Sequence, residues 1–243
     1  MNLCGININC KTRSDLLSET PDAKLIVTVN AEAIVRSKSD DKLRDIINNN
    51  YATIDGQIPL WLYRHKYNDD TIEKISGSDL IYSIPKYAEE NGFRIFLLGG
   101  SEVSNDGAIS KLKELYIDLN IAGYSPPYSK YPFSEEINAL ITKRIEEFRP
   151  HIIFVGFGMG KQEYWEADNY DFLNQLGVRL IIGCGGSFDF ASGRIKRAPK
   201  IIQKCGLEGF WRLSQEFKWF RIKRLLLSTK IFYYYLWSNS NSE

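Results

Sequence analysis

The sequence predicts an α/β fold built on a Rossmann-like, mostly parallel sheet with flanking helices, and three observations carry that prediction. Short continuous runs of apolar, mainly β-branched residues recur at 24–30, 93–98, 152–155 and 179–183, the pattern of strands buried on both faces of a parallel sheet. Segments with helical spacing separate them, and strands alternating with helices describe an α/β domain. Three strands then run into glycines, at Gly99-Gly100, at Gly156, Gly158 and Gly160, and at Gly183, Gly185 and Gly186. Three glycine-rich strand ends in one sheet would line a crevice at its carboxyl edge, where open α/β sheets bind ligands.

Taken in order, residues 2–10 alternate apolar and polar positions and predict an edge strand. A short helix follows over 12–19, opened by a polar cap. The strand at 24–30 delivers Thr28 and Asn30 near its end, and the alanine-rich residues 31–49 predict one helix with Ile34, Val35, Leu43, Ile46 and Ile47 inward. A short strand at 51–54 stops at Asp55-Gly56, a turn that projects Asp55 beyond a strand end. Ser76-Gly-Ser-Asp79 caps a helix over 80–91, with Asp79 as a first-turn acid. Further helices are predicted over 106–116 and, capped by Ser134 and ended by Pro150, over 135–148. Residues 187–199 read as a polar loop with three cations, and 238–243 as disordered.

At 243 residues, 44% hydrophobic and 25% charged, the chain supports one substantial core. The organisation expected is a catalytic α/β domain over 1–209 and a basic, aromatic appendage over 210–243. A net charge of +1 excludes bulk nucleic-acid binding. Cys4, Cys10, Cys184 and Cys205 have no CxxC spacing and read as reduced thiols. No run reaches the roughly 18 apolar residues of a spanning helix, and no leader pattern opens the chain. A cytoplasmic protein, peripheral at the inner face of the cell membrane, is therefore expected. The sequence leaves open a homo-oligomer.

The glycine rims admit a phosphate-bearing ligand close to the backbone. Immediately beyond the middle rim stand Lys161, Gln162 and Glu163, a cation, an amide and a carboxylate. A nicotinamide-dependent oxidoreductase would need GxGxxG after the first strand, and that strand ends in Thr-Val-Asn-Ala instead. A non-catalytic nucleotide-sugar-binding module is the other alternative. Asp69-Asp70 and Asp40-Asp41 lie in polar segments expected to be exposed, no DxD pair occurs, and neither metal nor cofactor is called for.

Thr28-x-Asn30, Asp55-Gly56, Gly77-Ser-Asp79, Leu98-Gly-Gly100, Gly156-x-Gly158 with Lys161-Gln-Glu163, Gly185-Gly186, Arg197-Ala-Pro199 and Gly206-Leu-Glu208 with Arg212 follow one another in this order. Over residues 2–224 the chain thereby resembles the WecG/TagA/CpsF glycosyltransferases. It departs from their pattern where Gly160 replaces a proline and Gly209 a tryptophan. The resemblance implies inverting transfer of a sugar, N-acetylmannosamine or a relative, from a UDP-sugar to a polyprenyl-pyrophosphate-linked sugar in bacterial cell-surface polysaccharide synthesis. Such transfer needs a base for the acceptor hydroxyl and stabilisation of the departing diphosphate. Asp55 is the candidate base, with Thr28 beside it as a catalytic residue. Asn30, Gly99, Gly100, Gly156, Gly158, Lys161, Gln162, Glu163, Gly185, Gly186 and Arg197 are the candidate substrate contacts, the glycines through their amides or by leaving room.

Beyond Phe210 the chain carries Arg212, Lys218, Arg221, Lys223, Arg224 and Lys230 among aromatics and leucines up to Trp237. This combination reads as a helical appendage that associates with a membrane surface. By resemblance, Arg212, Arg221 and Arg224 are candidates to grip a pyrophosphate. For residues 211–220 an ordinary helix closing the domain is the competing reading.

Overall fold

A computed structural model describes residues 1–240. The chain opens with β1 (Asn2–Leu3) and β2 (Ile6–Asn7), paired antiparallel. The single edge strand expected here is broken because Cys4 and Gly5 take left-handed conformations, φ 50° and 85°, and fold the chain back. Next comes α1 (Arg13–Leu17), opened by a reciprocal capping box between Thr12 and Asp15. β3 (Lys24–Val29) is buried at every position. The expected single helix over 31–49 is two, α2 (Ala31–Arg36) and α3 (Asp41–Asn49). Asp40 starts the second by accepting from the Leu43 N–H at 3.0 Å, so one of the presumed exposed acids is a cap.

β4 (Tyr51–Ile54) leads through Asp55-Gly56 into α4 (Gln57–Tyr67), for which the sequence reading had no element. Asp69 beyond it accepts from Lys11 Nζ at 2.8 Å, which with the bonds from Thr71 holds its carboxyl down to about 2. The chain continues through α5 (Gly77–Glu90), β5 (Ile95–Gly99), α6 (Glu102–Leu115), β6 (Ile121–Tyr124), α7 (Glu135–Phe148) and β7 (Ile152–Gly156). After β7 come α8 (Lys161–Asp168), α9 (Tyr170–Gln175), β8 (Leu180–Gly183) and α10 (Ser187–Ala191). The last turns what was read as the start of a polar loop into a helix with Phe188 and Phe190 buried. Finally α11 (Lys200–Lys204), α12 (Glu208–Gln215), α13 (Trp219–Ser228) and α14 (Lys230–Ser240) form the C-terminal helical segment. Residues 238–240 thus prolong a helix; 241–243 lie outside the described residues.

Six strands form one sheet in the order β4-β3-β8-β7-β5-β6. The pairs β3–β8, β8–β7, β7–β5 and β5–β6 are all parallel, and this is the α/β, mostly parallel sheet the sequence predicts. No described helix is long and apolar enough to cross a membrane.

Contacts group the residues into two compact units, and β3 begins in one and ends in the other. One holds residues 1–18, 27–76 and the segment from 195 onward. In it the β1–β2 hairpin is tied to α3 by Asn48, which accepts from the Asn7 N–H at 2.8 Å and donates to the Gly5 carbonyl at 3.1 Å. Helices α13 and α14 pack on α2 and bury Ile231 and Tyr235. The Tyr235 hydroxyl meets His65 Nδ1 of α4 at 2.8 Å.

The other unit holds residues 19–26 and 77–194. Its α6 is locked to β5 by Asn105, 1% exposed, whose Nδ2 donates to the carbonyls of Leu97 and Gly99 at 2.9 Å each. The Gly99 carbonyl accepts from Ser125 Oγ as well, at 3.0 Å, so the loss on removing Asn105 is that of two buried hydrogen bonds, each contributing about 1 kcal/mol net. Asn105→Ala is therefore expected to destabilise the protein by about 2 kcal/mol, read from the midpoint of chemical denaturation.

Candidate active site

The ends of β5, β7 and β8 lie side by side in the second unit, with Gly99 opposite Gly156 and Val155 opposite Gly183. Side chains could not fit there. A Cβ on Gly99 would stand 2.7 Å from the Phe157 ring, one on Gly156 2.8 Å from Phe188, and one on Gly183 2.7 Å from Gln162 Nε2. At Gly158 and Gly185 the space is open. The three rims thus form one glycine-lined ledge, as the sequence predicts.

The ledge is organised differently from the expected row of free amides. Gln162 is 2% exposed and its Oε1 accepts from the N–H groups of Gly158 at 3.2 Å and Gly185 at 3.0 Å. One side chain thus ties the β7–α8 loop to the β8–α10 loop. The Gly100 N–H is likewise taken, by the Gly156 carbonyl at 3.1 Å. Glu163, also buried, accepts from Gln162 Nε2 at 2.9 Å and from the Gly160 N–H at 2.6 Å. Both side chains were expected to read a ligand, and both carry internal partners because a glycine-rich turn has no side chains of its own to brace it. What they leave to a ligand is space over Gly158 and Gly185 and the amino-terminal end of α8, where an anion is favoured.

Lys161 turns aside from this ledge. Its Nζ donates to the Ser129 carbonyl at 2.6 Å and sits over the rings of Phe133 (4.5 Å), Phe157 (5.3 Å) and Tyr128 (5.4 Å). The rings attract the cation while burial lowers its pKa. Beneath the ledge lies Glu166, fully buried, with no hydrogen-bond partner for either oxygen. Burial, with the neighbouring Glu163, pushes its pKa well above the usual carboxylate range and favours the protonated form.

The first unit holds the other candidates. Asp55 follows β4 directly, half-buried, its N–H donating to the Val29 carbonyl at 2.8 Å. That bond sets the end of β4 against the end of β3, which carries Thr28, 5% exposed, and Asn30. Asn30 caps α2 through its carbonyl oxygen, which accepts from the Ala33 N–H at 3.0 Å. The structure therefore groups Thr28, Asn30 and Asp55 at adjacent strand ends.

The tail arginines are held by carboxylates. Arg221 pairs with Glu216, Arg197 lies 3.7 Å from Glu208, and Arg224 Nε reaches Glu32 Oε2 at 2.5 Å. Arg212 is carried on α12, which is fastened at Lys196: the Trp211 indole and Gln215 both donate to the Lys196 carbonyl, at 3.0 and 2.7 Å.

The model of the glycosyl transferase WecG/TagA/CpsF family matches residues 1–243. The chain belongs to that family. It is similar to the N-acetylglucosaminyldiphosphoundecaprenol N-acetyl-beta-D-mannosaminyltransferase of Staphylococcus aureus (strain MRSA252), 30% identical over 210 residues, which cover 86% of this chain and 78% of that one. The protein of the same name from Bacillus subtilis (strain 168) is 31% identical over 216 residues, 87% of this chain and 81% of that one. The chain is accordingly a glycosyltransferase, and the oxidoreductase and non-catalytic readings fall.

Within the WecG/TagA/CpsF frame the two departures have local reasons. Gly160 adopts φ 88°, closed to proline, and gives Glu163 an N–H that proline lacks. A Cβ on Gly209 would stand 2.6 Å from Leu225 Cδ2, so α13 fills the place of a larger side chain. Sequence reasoning missed Glu166 and Glu32. Glu166 lies three and four residues after Glu163 and Gln162, hence on one helix face with them, and Glu32 is a lone acid in the apolar start of α2. Those spacings were the available signals.

Glu166 yields a pH prediction. Its folded-state pKa is raised, so its contribution to stability is fully present below the unfolded carboxylate pKa and is lost as pH rises through the folded value. Glu166→Gln removes that loss. The variant is expected to match the parent near pH 4 and to exceed it at about pH 8 in denaturant midpoint; a parent-like midpoint at both values would contradict this.

Proposed function

We propose that this glycosyltransferase moves N-acetylmannosamine from a UDP-linked donor to a polyprenyl-diphosphate-linked N-acetylglucosamine, with inversion at the anomeric carbon. The observation that carries this reading is the match, along most of both chains, to proteins named for transfer of N-acetyl-beta-D-mannosamine onto N-acetylglucosaminyldiphosphoundecaprenol. In the step proposed, the acceptor hydroxyl oxygen attacks the anomeric carbon, the bond from that carbon to the donor diphosphate breaks, and UDP departs with its electron pair. The hydroxyl proton passes to Asp55. Support for Asp55 comes from its position at a strand end, half-buried and set against the end of β3. Thr28 and Asn30 orient the reacting sugar from that neighbouring end.

The donor diphosphate is assigned to the glycine ledge. Open space at Gly158 and Gly185 and the start of α8 suit it, with Gln162 and Glu163 holding the ledge in shape and Gly99, Gly100, Gly156 and Gly186 keeping it clear. Arg197, Arg212, Arg221 and Arg224 are assigned to the acceptor pyrophosphate, because the guanidinium fork makes paired bonds to phosphate oxygens. Asp55→Asn keeps the shape and removes the base. Turnover is expected to fall by about two to four orders of magnitude, while UDP-sugar binding measured by calorimetry stays within a few-fold. Near-parental turnover would remove Asp55 from the role.

We assign the segment from residue 210 to a membrane surface on the cytoplasmic side, where such an acceptor is anchored. Trp219 and Leu226 of α13, Tyr233, Leu236 and Trp237 of α14, and Phe217 just before α13 are exposed, while Ile231 and Tyr235 of α14 are buried. Apolar side chains on the outside of a helix pair that also has an inward face fit an interfacial segment. Trp219→Ser combined with Leu226→Ser is expected to reduce co-sedimentation with anionic liposomes at least about threefold and to leave thermal stability unchanged. Equal sedimentation would defeat the assignment.

A further inference from the structure

We infer that Glu32 is a positioning residue for the transfer, holding Arg224 by its inner edge so that its outer edge is presented to the acceptor pyrophosphate. The inference rests on the assignment of Arg224 to that pyrophosphate and goes beyond it, by naming what fixes the guanidinium. Glu32 lies two residues after Asn30, on the helix that begins where β3 ends. Its side chain is 3% exposed and stands between two cations, Arg36 Nη2 at 2.8 Å and Arg224 Nε at 2.5 Å. Arg224 comes from α13, which packs on α2.

The attachment leaves a particular part of the arginine available. Glu32 takes Nε, the inner nitrogen, and among the described residues no protein group bonds the two terminal nitrogens. The side chain is 42% exposed, against 3% for its partner. A guanidinium fixed at Nε and open at Nη1 and Nη2 is preorganised for two parallel bonds to phosphate oxygens. Arg221 differs, since Glu216 occupies its terminal Nη2.

Stability alone is a weak reason for this pair. Removing a carboxylate from water costs several kcal/mol, and an ion pair in its place is often no better than apolar packing. Holding a rotamer-rich side chain in one pose is the gain a buried carboxylate gives here, because the ordering cost is met before the ligand arrives.

Two electrostatic effects oppose each other, and their balance makes the idea testable. Loss of the Glu32 charge makes the region more positive, which by Coulomb attraction alone would tighten binding of a pyrophosphate. Loss of the anchor frees the guanidinium and loosens it. The positioning role requires the second to win.

The experiment measures KM for a lipid-diphosphate-linked N-acetylglucosamine and for the UDP-sugar, in full-length parent, Glu32→Gln, Arg224→Ala and the double variant. Expected is a rise in acceptor KM of about tenfold in Glu32→Gln, in the range of coupled neighbours, with donor KM unchanged. Arg224→Ala is expected to raise acceptor KM at least as much, and adding Glu32→Gln to it to do nothing further. An unchanged or lowered acceptor KM in Glu32→Gln, or an equal further loss on top of Arg224→Ala, overturns the positioning role. An unchanged acceptor KM in Arg224→Ala overturns it at its premise, the arginine's own assignment. Should Glu32→Gln not fold, Glu32→Asp carries the same test, since it keeps the charge and withdraws the anchor by one methylene: raised acceptor KM supports the role and parental KM overturns it.

Discussion

The close approach of β5, β7 and β8 at their carboxyl ends is the constraint on which the glycine-lined ledge depends. Strands in hydrogen-bonding register are less than 5 Å apart by about the spacing of any sheet, and here aromatic rings are packed over their ends as well. Phe157 and Phe188 occupy the space that Cβ atoms of Gly99, Gly100 and Gly156 would need. Glycine is therefore a packing requirement at these positions before it is a ligand-binding device. The consequence is a rim without side chains, which must be braced from elsewhere. Gln162 supplies the brace, and Glu163 fixes both Gln162 and the turn at Gly160.

Much of the architecture was legible because its physical causes are local. Continuous apolar runs gave the parallel strands, and Ser134 and Thr12 cap helices where their side chains can reach a backbone N–H. The break between α2 and α3 was written in Ser37 to Asp40, a polar stretch ending in a cap, which alanine content had masked. α4 escaped notice because Pro59 and its mixed apolar and basic residues conceal a regular face; Leu60 and Tyr63 are buried, whereas Trp61 is exposed. Proline in the first turn is in fact compatible with a helix start.

The site was legible in position and not in employment. The strand ends could be placed, and with them Thr28, Asn30, Asp55 and the glycines. Which amides and carboxylates already have partners depends on contacts between segments far apart in the chain, and periodicity carries no such information. Lys161 was a candidate substrate contact by its neighbours in sequence, yet the rings of Phe133 and Tyr128 come from a loop some thirty residues earlier. Arg224 and Glu32 are 192 residues apart. A charge is recognisable in a sequence; its counter-charge is not.

These internal partners bear on which carboxylate can serve as base. A base must be ionised and must reach a proton outside the protein. Glu166 meets the first condition poorly, since burial beside Glu163 raises its pKa well above the usual range and favours the protonated form. Glu163 fails the second, with both oxygens occupied within its own turn. Glu32 is closed in by two guanidinium groups. Asp55 stands half-buried at a strand end, on a turn whose glycine, φ 94°, begins α4. Each of the other three shapes the scaffold, and in the proposed transfer proton removal is assigned to Asp55.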